Sequence, residues 1–322
     1  MTNTVKHEYD TRGEANKLAE YITPLKLRQF LASKITKDNL TVLEPAIGSG
    51  QLLFEIAKQI KEIDGFDVNI NALELANKNF NNINTYNADF ITSDIAKYYD
   101  VAIANYPFSL SPTNTQKNYI ANDYFLKQFF AKKQSEDSLF NEVTEKVKPD
   151  NVKGKLDFIF ILKSFLYAKE GFYLCFPGIA YRGEEEKFRK YLVKNKCIKE
   201  FGILHNCKFD HTSISILFLH LTKEANEKPK SFYLDFKDGT FLEEEAIFEE
   251  DCKFNYPAIK VEKEEVDPVL LERQARQGLI DNIKREIALS KQIYELDPLI
   301  RDNLPCIKSF KQDIIDILNE DE

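Results

Sequence analysis

The chain contains 322 residues, of which 43% are hydrophobic and 30% charged, and its net charge at pH 7 is −8. This length supports a substantial core in one large domain or in two unequal ones, and no apolar run reaches the roughly 18 residues that span a bilayer. The polar amino terminus and five cysteines without a Cys-x-x-Cys pair predict a cytoplasmic protein with free thiols, no membrane contact and no structural metal.

The charge is divided unevenly along the chain. Residues 222–322 carry 15 basic and 25 acidic side chains, whereas the part before them is close to neutral. An acidic surface repels the phosphates of nucleic acids, so this last part is not expected to bind DNA by itself. We therefore predict a catalytic domain at 1–222 and an acidic, mainly helical extension at 223–322.

The first third of the chain alternates short apolar strand patterns with helical patterns. Thr23 is predicted to cap a helix that begins at Pro24. The patterns after it are a strand at Val42-Leu43, a helix from Gln51 to Glu62, a strand at Val68–Leu75, a helix at Ala76–Asn81, and strands at Asn84–Tyr86 and Asp100–Ala104. Such alternation is typical of an α/β fold with a parallel sheet.

Residues 109–153 interrupt this alternation. They are polar around an apolar island at Tyr124–Phe130, which predicts an insertion with a helix lying over the site. The patterns that follow are a helix at Leu156–Tyr167, a strand at Gly171–Phe176, a helix at Glu184–Lys194, and closing strands at Ile198–Leu204 and Ser213–Leu221. Beyond Lys230 come a short β-like piece with an Asp-Gly turn and helical patterns at 268–295 and 308–318.

A glycine turn, Glu44-Pro45-Ala46-Ile47-Gly48-Ser49-Gly50, follows the first strand. Glycines at a strand–helix turn let the backbone approach a ligand closely. A dinucleotide site would need a third glycine, and a P-loop would need Lys-Ser/Thr after Gly50. Glu44 is placed to meet the cationic amino-acid end of S-adenosylmethionine. Glu74, predicted to end the second strand, is placed to accept hydrogen bonds from ribose hydroxyls.

The sequence Asn105-Tyr106-Pro107-Phe108 follows another apolar strand pattern, at the edge of the sheet where ligands bind. An amino group on a conjugated ring is a poor nucleophile because its lone pair is delocalised. Two acceptors aimed at its hydrogens localise that pair, and the Asn105 side-chain oxygen and the Tyr106 main-chain oxygen can supply them. Pro107 keeps residue 106 out of the α region, and Phe108 can stack on the ring, a contact worth about 1–3 kcal/mol. These four residues are the predicted catalytic clamp.

Taken in this order, the motifs resemble those of γ-class amino-methyltransferases that act on adenine N6. The closer resemblance is to the modification subunit of type I restriction–modification systems, and it covers roughly residues 10–221. The segments that carry it are Tyr21–Pro24, Glu44–Gly50, Asn87–Phe90, Asn105–Phe108 and Pro177–Arg189. The last of these is similar to a stretch specific to such modification subunits.

The resemblance implies a Rossmann-like S-adenosylmethionine-dependent methyltransferase sheet with flanking helices, and methyl transfer to adenine N6 in DNA. The implied cofactor-binding residues are Tyr21, Thr23, Glu44, Pro45, Ala46, Gly48, Gly50, Glu74, Asp89, Phe90 and Asn105. Phe108 and Phe209 are implied to contact the flipped base. The implied partners are double-stranded DNA, a specificity subunit, a restriction subunit and a second copy of the chain.

One residue departs from the family pattern, because Tyr106 stands where the family has the first clamp proline. The fixed φ of proline is lost there, which predicts weakened activity. Two other hypotheses stay open on the sequence. The same clamp chemistry serves a glutamine side chain of a protein or an RNA base, and a catalytically weak methyltransferase-like binding subunit would keep the fold without turnover.

Overall fold

The structure is a computed structural model that describes residues 22–106, 110–131, 146–209 and 212–257, together with the separate positions 277, 281, 282, 284 and 285. The chain forms two compact units, Met1–Ala258 and Ile259–Glu322. In the second unit only the five separate positions are described, so the predicted helices at 268–295 and 308–318 otherwise lie outside the described residues. Among the described residues, no helix is both long and apolar enough to cross a bilayer.

The first unit is built on one nine-stranded sheet with the order β3-β2-β1-β4-β5-β7-β6-β8-β9. The strands are β1 Leu40–Glu44, β2 Ile60–Asp67, β3 Ile83–Asn87, β4 Tyr99–Asn105, β5 Ala168–Cys175, β6 Ile198–Phe209, β7 Thr212–Thr222, β8 Lys230–Asp235 and β9 Phe241–Glu245. The strands β1 to β5 pair with one another in parallel, and β7 lies antiparallel between β5 and β6. Strand β8 is parallel to β6, and β9 is antiparallel to β8.

Helices cover both faces of this sheet. The α-helices are α1 Leu25–Lys34, α2 Ile70–Asn79, α3 Asn114–Asn122, α4 Leu156–Leu166 and α5 Glu186–Lys194, and a 3-10 helix spans Gln51–Gln59. Side chains of α1, α2 and the 3-10 helix pack in one apolar cluster, and those of α3, α4 and α5 pack in another. The architecture is therefore the predicted α/β sheet between two helical layers.

Successive residues of β4 alternate between the two clusters, as the period of a strand requires. Val101 and Ile103 pack in the α1 cluster, whereas Ala102 and Ala104 pack in the α4 cluster. Helix α4 is buried from Leu156 to Phe165, which explains an apolar pattern that runs around the whole helix.

The sequence predicts most of these elements, but the prediction for the second strand is wrong. Strand β2 occupies Ile60–Asp67, and the residues predicted as that strand form α2 instead. The polar sequence of β2 reads as a continued helix, yet the sheet buries its central residues. Helix α2 has its own start signal, because the Asn69 side chain accepts a hydrogen bond from the Asn71 N–H at 3.1 Å.

The predicted boundary at residue 222 is also corrected. Strands β8 and β9 extend the same sheet through pairing of β8 with β6, and the first compact unit continues to Ala258. The acidic composition of this region misled the prediction, because the acidic side chains of β9 lie on an exposed strand of the same unit.

Candidate active site

The carboxyl ends of β2, β1 and β4 lie side by side and present three polar side chains. These are Asp67, Glu44 and Asn105, the last residues of the three neighbouring strands. Ligands of open α/β sheets bind at this edge. Two of the three residues are those that the sequence predicts.

The glycine turn after β1 is held against the end of β2. Gly48 and Gly50 have φ angles of 52° and 80°, a left-handed backbone that glycine adopts without strain. The Gly48 N–H donates to Asp67 Oδ2 at 2.8 Å, and the Asn69 N–H donates to Asp67 Oδ1 at 2.8 Å. The turn therefore shares one carboxylate with the loop that leads into α2.

Glu74 does not end a strand, and its predicted position in the site is wrong. It lies in the middle of α2 with its side chain exposed. Asp67 is the acid at the end of β2, and sequence reasoning missed it because the strand was placed eight residues too late. The sequence signal that could have identified Asp67 is Gly65-Phe66-Asp67, in which an acidic residue directly follows an aromatic one.

Glu44 is a buried acid whose side chain is 1% exposed. Neither carboxyl oxygen has a hydrogen-bond partner in the part of the chain that the structure describes. Burial raises the pKa of Glu44 well above its ordinary value. The nearby backbone N–H of Ala46 opposes this rise, and the negative charge of Asp67 adds to it. A buried acid without a partner is rare in a native fold, which indicates that a ligand satisfies it.

The Asn105 side-chain amide is hydrogen-bonded through its nitrogen but, among the described residues, not through its oxygen. Its Nδ2 donates to Thr23 Oγ1 at 2.9 Å, whereas its buried Oδ1 has no hydrogen-bond partner among the described residues. Thr23 is therefore not the predicted helix cap, since α1 begins after Pro24 without a side-chain cap. Its hydroxyl instead orients the Asn105 amide so that the acceptor oxygen is left for a ligand.

Tyr106 turns its side chain away from this acceptor and into the α4 cluster, where it is 1% exposed. Its hydroxyl lies 2.8 Å from Ser164 Oγ, which also bonds the Tyr173 hydroxyl at 3.3 Å. The Tyr106 ring packs 5.2 Å from the Phe160 ring centroid and 5.8 Å from that of Tyr173. Burial raises the pKa of Tyr106 well above its ordinary value, so the phenol stays neutral.

The other predicted clamp and cofactor residues are placed only in part. Tyr21, Pro107 and Phe108 lie outside the described residues, and Pro45 and Ala46 continue the turn after Glu44. Phe209 ends β6 and is buried in the cluster of α1, on the face of the sheet to which Asn105 also belongs.

Asp89 caps the turn that follows β3, and both of its oxygens are engaged. Oδ1 accepts from the Ile91 N–H at 3.0 Å, and Oδ2 accepts from Gln116 Nε2 at 3.0 Å. The expectation that the Phe90 ring contacts the cofactor is corrected, because the ring is 1% exposed and stacks on Phe160 in the core. Sequence reasoning missed Gln116, which lies in the predicted insertion.

The stretch specific to modification subunits forms a braced turn after β5. Arg182 pairs with Glu185 through contacts of 2.8 and 3.0 Å and lies 3.7 Å from Asp157. Arg189 is buried and donates to the Ile179 and Arg182 carbonyls at 3.0 and 2.7 Å. These contacts give the charged residues of the stretch a structural role.

Comparison with known proteins identifies the family. A profile of the N-6 DNA methylase family matches residues 8–265. The chain belongs to the N-6 DNA methylase family. A relative in Mycoplasma pneumoniae, the type I restriction enzyme MpnII methylase subunit, is 28% identical over an alignment of 249 residues that covers 67% of this chain and 42% of that subunit. The chain thus spans about two-fifths of the length of this curated relative.

Solved structures share the fold. The type I restriction-modification methyltransferase subunit of Streptococcus thermophilus superposes with a TM-score of 0.51 and 19% identity, over 70% of this chain and 53% of that one. A chain of a type I R-M system complex superposes with a TM-score of 0.54 and 12% identity, over 89% of this chain and 67% of that one. The Rossmann-like methyltransferase fold predicted from the motifs is therefore confirmed.

Proposed function

We propose that this chain transfers a methyl group from S-adenosylmethionine to the N6 amino group of adenine in DNA. The observation that carries the proposal is the buried Oδ1 of Asn105 at the end of β4, which has no hydrogen-bond partner among the described residues. An acceptor in this position suits an amino group, because each amino hydrogen needs an oxygen once water is excluded. Membership in the N-6 DNA methylase family supports the same substrate atom.

The residues at the sheet edge fit the cofactor. Both Glu44 oxygens lack a partner in the described part of the chain, so an ammonium group there would satisfy them. Asp67 and the positive-φ turn at Gly48 and Gly50 form a cradle beside it, in which Asp67 takes the ribose role first assigned to Glu74. When bound, S-adenosylmethionine supplies a methyl group already activated by its sulfonium.

The chain's own residues would act by orienting the amine. Asn105 Oδ1 accepts one amino hydrogen, and the main-chain oxygen of residue 106 accepts the other, which localises the nitrogen lone pair. Thr23 holds the Asn105 amide in the required orientation. Positioning of this kind converts a slow bimolecular encounter into a reaction within one complex.

The position of the Tyr106 side chain supports catalysis rather than a binding role alone. The hypothesis of a catalytically weak subunit depended on the loss of proline at this position. Since the phenol is buried among α4 and β5 side chains, it leaves the substrate side of residue 106 clear. The clamp then needs from this residue only a main-chain oxygen, which any residue supplies.

The proposal includes partners. The target adenine must leave the duplex to reach Asn105, at a cost of a few kcal/mol. The curated relative is named a subunit of a type I restriction enzyme, and we infer that a specificity subunit reads the DNA sequence. A restriction subunit and a second copy of the chain are the further partners that the resemblance implies.

The test measures transfer of labelled methyl from S-adenosylmethionine to unmethylated genomic DNA, with RNA and protein acceptors assayed beside it. We expect label in N6-methyladenine, and a loss of about 10²–10³-fold or more in Asn105→Ala while cofactor binding is retained. The matched control is Asn81→Ala, which alters an exposed asparagine. Turnover retained in Asn105→Ala, or label found only in RNA or protein, would refute the proposal.

A further inference from the structure

Gln116 lies in the first turn of helix α3, in the polar insertion, and both ends of its side-chain amide are hydrogen-bonded. The Gln116 Oε1 accepts from the Thr113 N–H at 2.8 Å, and Thr113 Oγ1 accepts from the Gln116 N–H at 3.3 Å. This reciprocal pair is a capping box. Because the capping hydrogen bond holds Oε1, it also orients the amide nitrogen of the same side chain. This nitrogen, Nε2, donates to Asp89 Oδ2.

The contact fixes the plane of the Asp89 carboxylate. Gln116 is 7% exposed, so this hydrogen bond is shielded from water. The Ile91 N–H holds the other oxygen at 3.0 Å. A carboxylate oxygen has two acceptor positions, and therefore each oxygen of Asp89 keeps one position for a ligand while its orientation is fixed.

The turn after Asp89 is also held from α4. Lys163 Nζ donates to the Ile91 and Ser93 carbonyls at 2.7 and 2.5 Å. The same ammonium lies 4.7 Å from the ring centroid of Tyr119, which stands on α3 one turn after Gln116. Helix α3, the Asp89 turn and helix α4 therefore form one connected unit.

Chain connectivity links this unit to the clamp. Only residues 109–113 separate Phe108 from the first residue of α3. The helix that orients Asp89 is thus directly tethered to the residues that contact the target amine in the proposed reaction.

We propose that Gln116 is a cofactor-positioning residue, which orients Asp89 toward the 6-amino group of the cofactor's adenine and couples helix α3 to that group. The inference rests on the proposed function, together with the sequence resemblance that implies Asp89 as a cofactor-binding residue. It assigns helix α3 of the insertion a role in reading the cofactor. Gln116 lies outside the motif segments that carry the family resemblance.

The sharpest variant is Gln116→Glu in the full 322-residue chain. Glutamate keeps the oxygen that accepts from the Thr113 N–H, and it is a usual residue of capping boxes. It removes the donor to Asp89 and places a second carboxylate there. The matched control is Asn118→Asp, which adds the same charge at an exposed position of the same helix.

The measurement is the dissociation constant of two ligands by titration calorimetry. S-adenosylhomocysteine carries the 6-amino group, whereas S-inosylhomocysteine carries a carbonyl oxygen in its place. We expect Gln116→Glu to weaken the adenosyl ligand by about 10-fold and the inosyl ligand much less. The unfolding temperature should fall, because the two carboxylates repel each other. Asn118→Asp should change both constants by less than about 2-fold.

The outcomes separate this inference from the proposed function. If the wild-type chain binds neither ligand, the proposed function itself fails. If the wild type prefers the adenosyl ligand and Gln116→Glu keeps the full preference, or loses both ligands equally, the role of Gln116 is refuted. If Gln116→Glu unfolds, Gln116→Ala measured on the same two ligands decides by the same criterion.

Discussion

The two edges of the sheet bury charged and polar groups in opposite ways. At the amino edge, His220 lies 3.2 Å from Glu170 and 3.6 Å from Glu200, and these acids pair with Lys37 and Lys34 at 2.5 Å each. At the carboxyl edge, Glu44 and Asn105 bury oxygens that have no partner among the described residues. Glu44 is as buried as His220 and Glu170, whereas Asn105 is half-buried.

The contrast between paired charges and unpaired oxygens distinguishes groups that stabilise the fold from groups that are expected to bind a ligand. A buried charge that faces an opposite charge within the chain needs nothing further. A buried oxygen without a partner costs folding free energy, and a fold keeps it only where something else satisfies it. We therefore propose that the unpaired edge binds the ligand, and substitutions at the two edges should change the stability with opposite signs.

The largest expected change in stability comes from substitution of Tyr106, whose hydroxyl is hydrogen-bonded at the carboxyl edge. Tyr106→Pro restores the family residue, yet it should lower the free energy of unfolding by about 3–5 kcal/mol, because the phenol fills the core beside Tyr173 and bonds Ser164. Tyr106→Phe should cost about 1 kcal/mol and keep methyl transfer. Denaturant unfolding measures both, and a proline variant as stable as the wild type would contradict the assigned packing.

Glu44→Gln should act in opposite directions on binding and on stability. We expect S-adenosylhomocysteine to bind about 10- to 100-fold more weakly, because the ammonium loses its charged partner. The ligand-free protein should become more stable at neutral pH, since burial raises the pKa of Glu44. The folded state then holds the proton more tightly than the unfolded chain, so the wild type loses stability as pH rises above the ordinary pKa of glutamate.

The same substitution at the amino edge should have the opposite sign. Glu170→Gln is expected to lower the free energy of unfolding at neutral pH by about 1–3 kcal/mol. The hydrogen bond from His220, with that from Lys37, lowers the pKa of Glu170 to about 2. This stability is present above the unfolded pKa of about 4.5 and is lost as pH falls toward 2. Equal shifts for Glu44→Gln and Glu170→Gln would remove the contrast between the edges.

The smallest predicted effect is a dependence of the free energy of unfolding on pH in alkaline solution. Burial lowers the pKa of Lys163 to about 8 from its ordinary value of 10.5. Between these values the unfolded chain binds more protons than the folded one, so this lysine adds stability as pH rises. The difference in unfolding free energy between the wild type and Lys163→Met should therefore grow from pH 8 to 10.5. A difference that stays flat would show that the ammonium is not buried as described.

Comparison of particular residues shows where sequence reasoning succeeds. Glu44 and Asn105 are predicted correctly as strand-end residues because each follows a short apolar run that is unambiguous. Asp67 is missed because Ile60–Asp67 contains four charged residues, and only pairing between β1 and β3 makes it a strand. Local pattern is weak for a strand whose burial depends on its neighbours.

The sequence by itself determined the family and the α/β alternation, and it predicts the clamp, because ordered motifs and apolar periods are local properties of the chain. Tertiary structure alone decided that Tyr106 faces the core, that Thr23 orients Asn105, and that Gln116 meets Asp89. These contacts join residues distant in sequence, from 27 to 82 positions apart. Their geometry follows from strand order and from the alternation of faces along β4, which no local pattern contains.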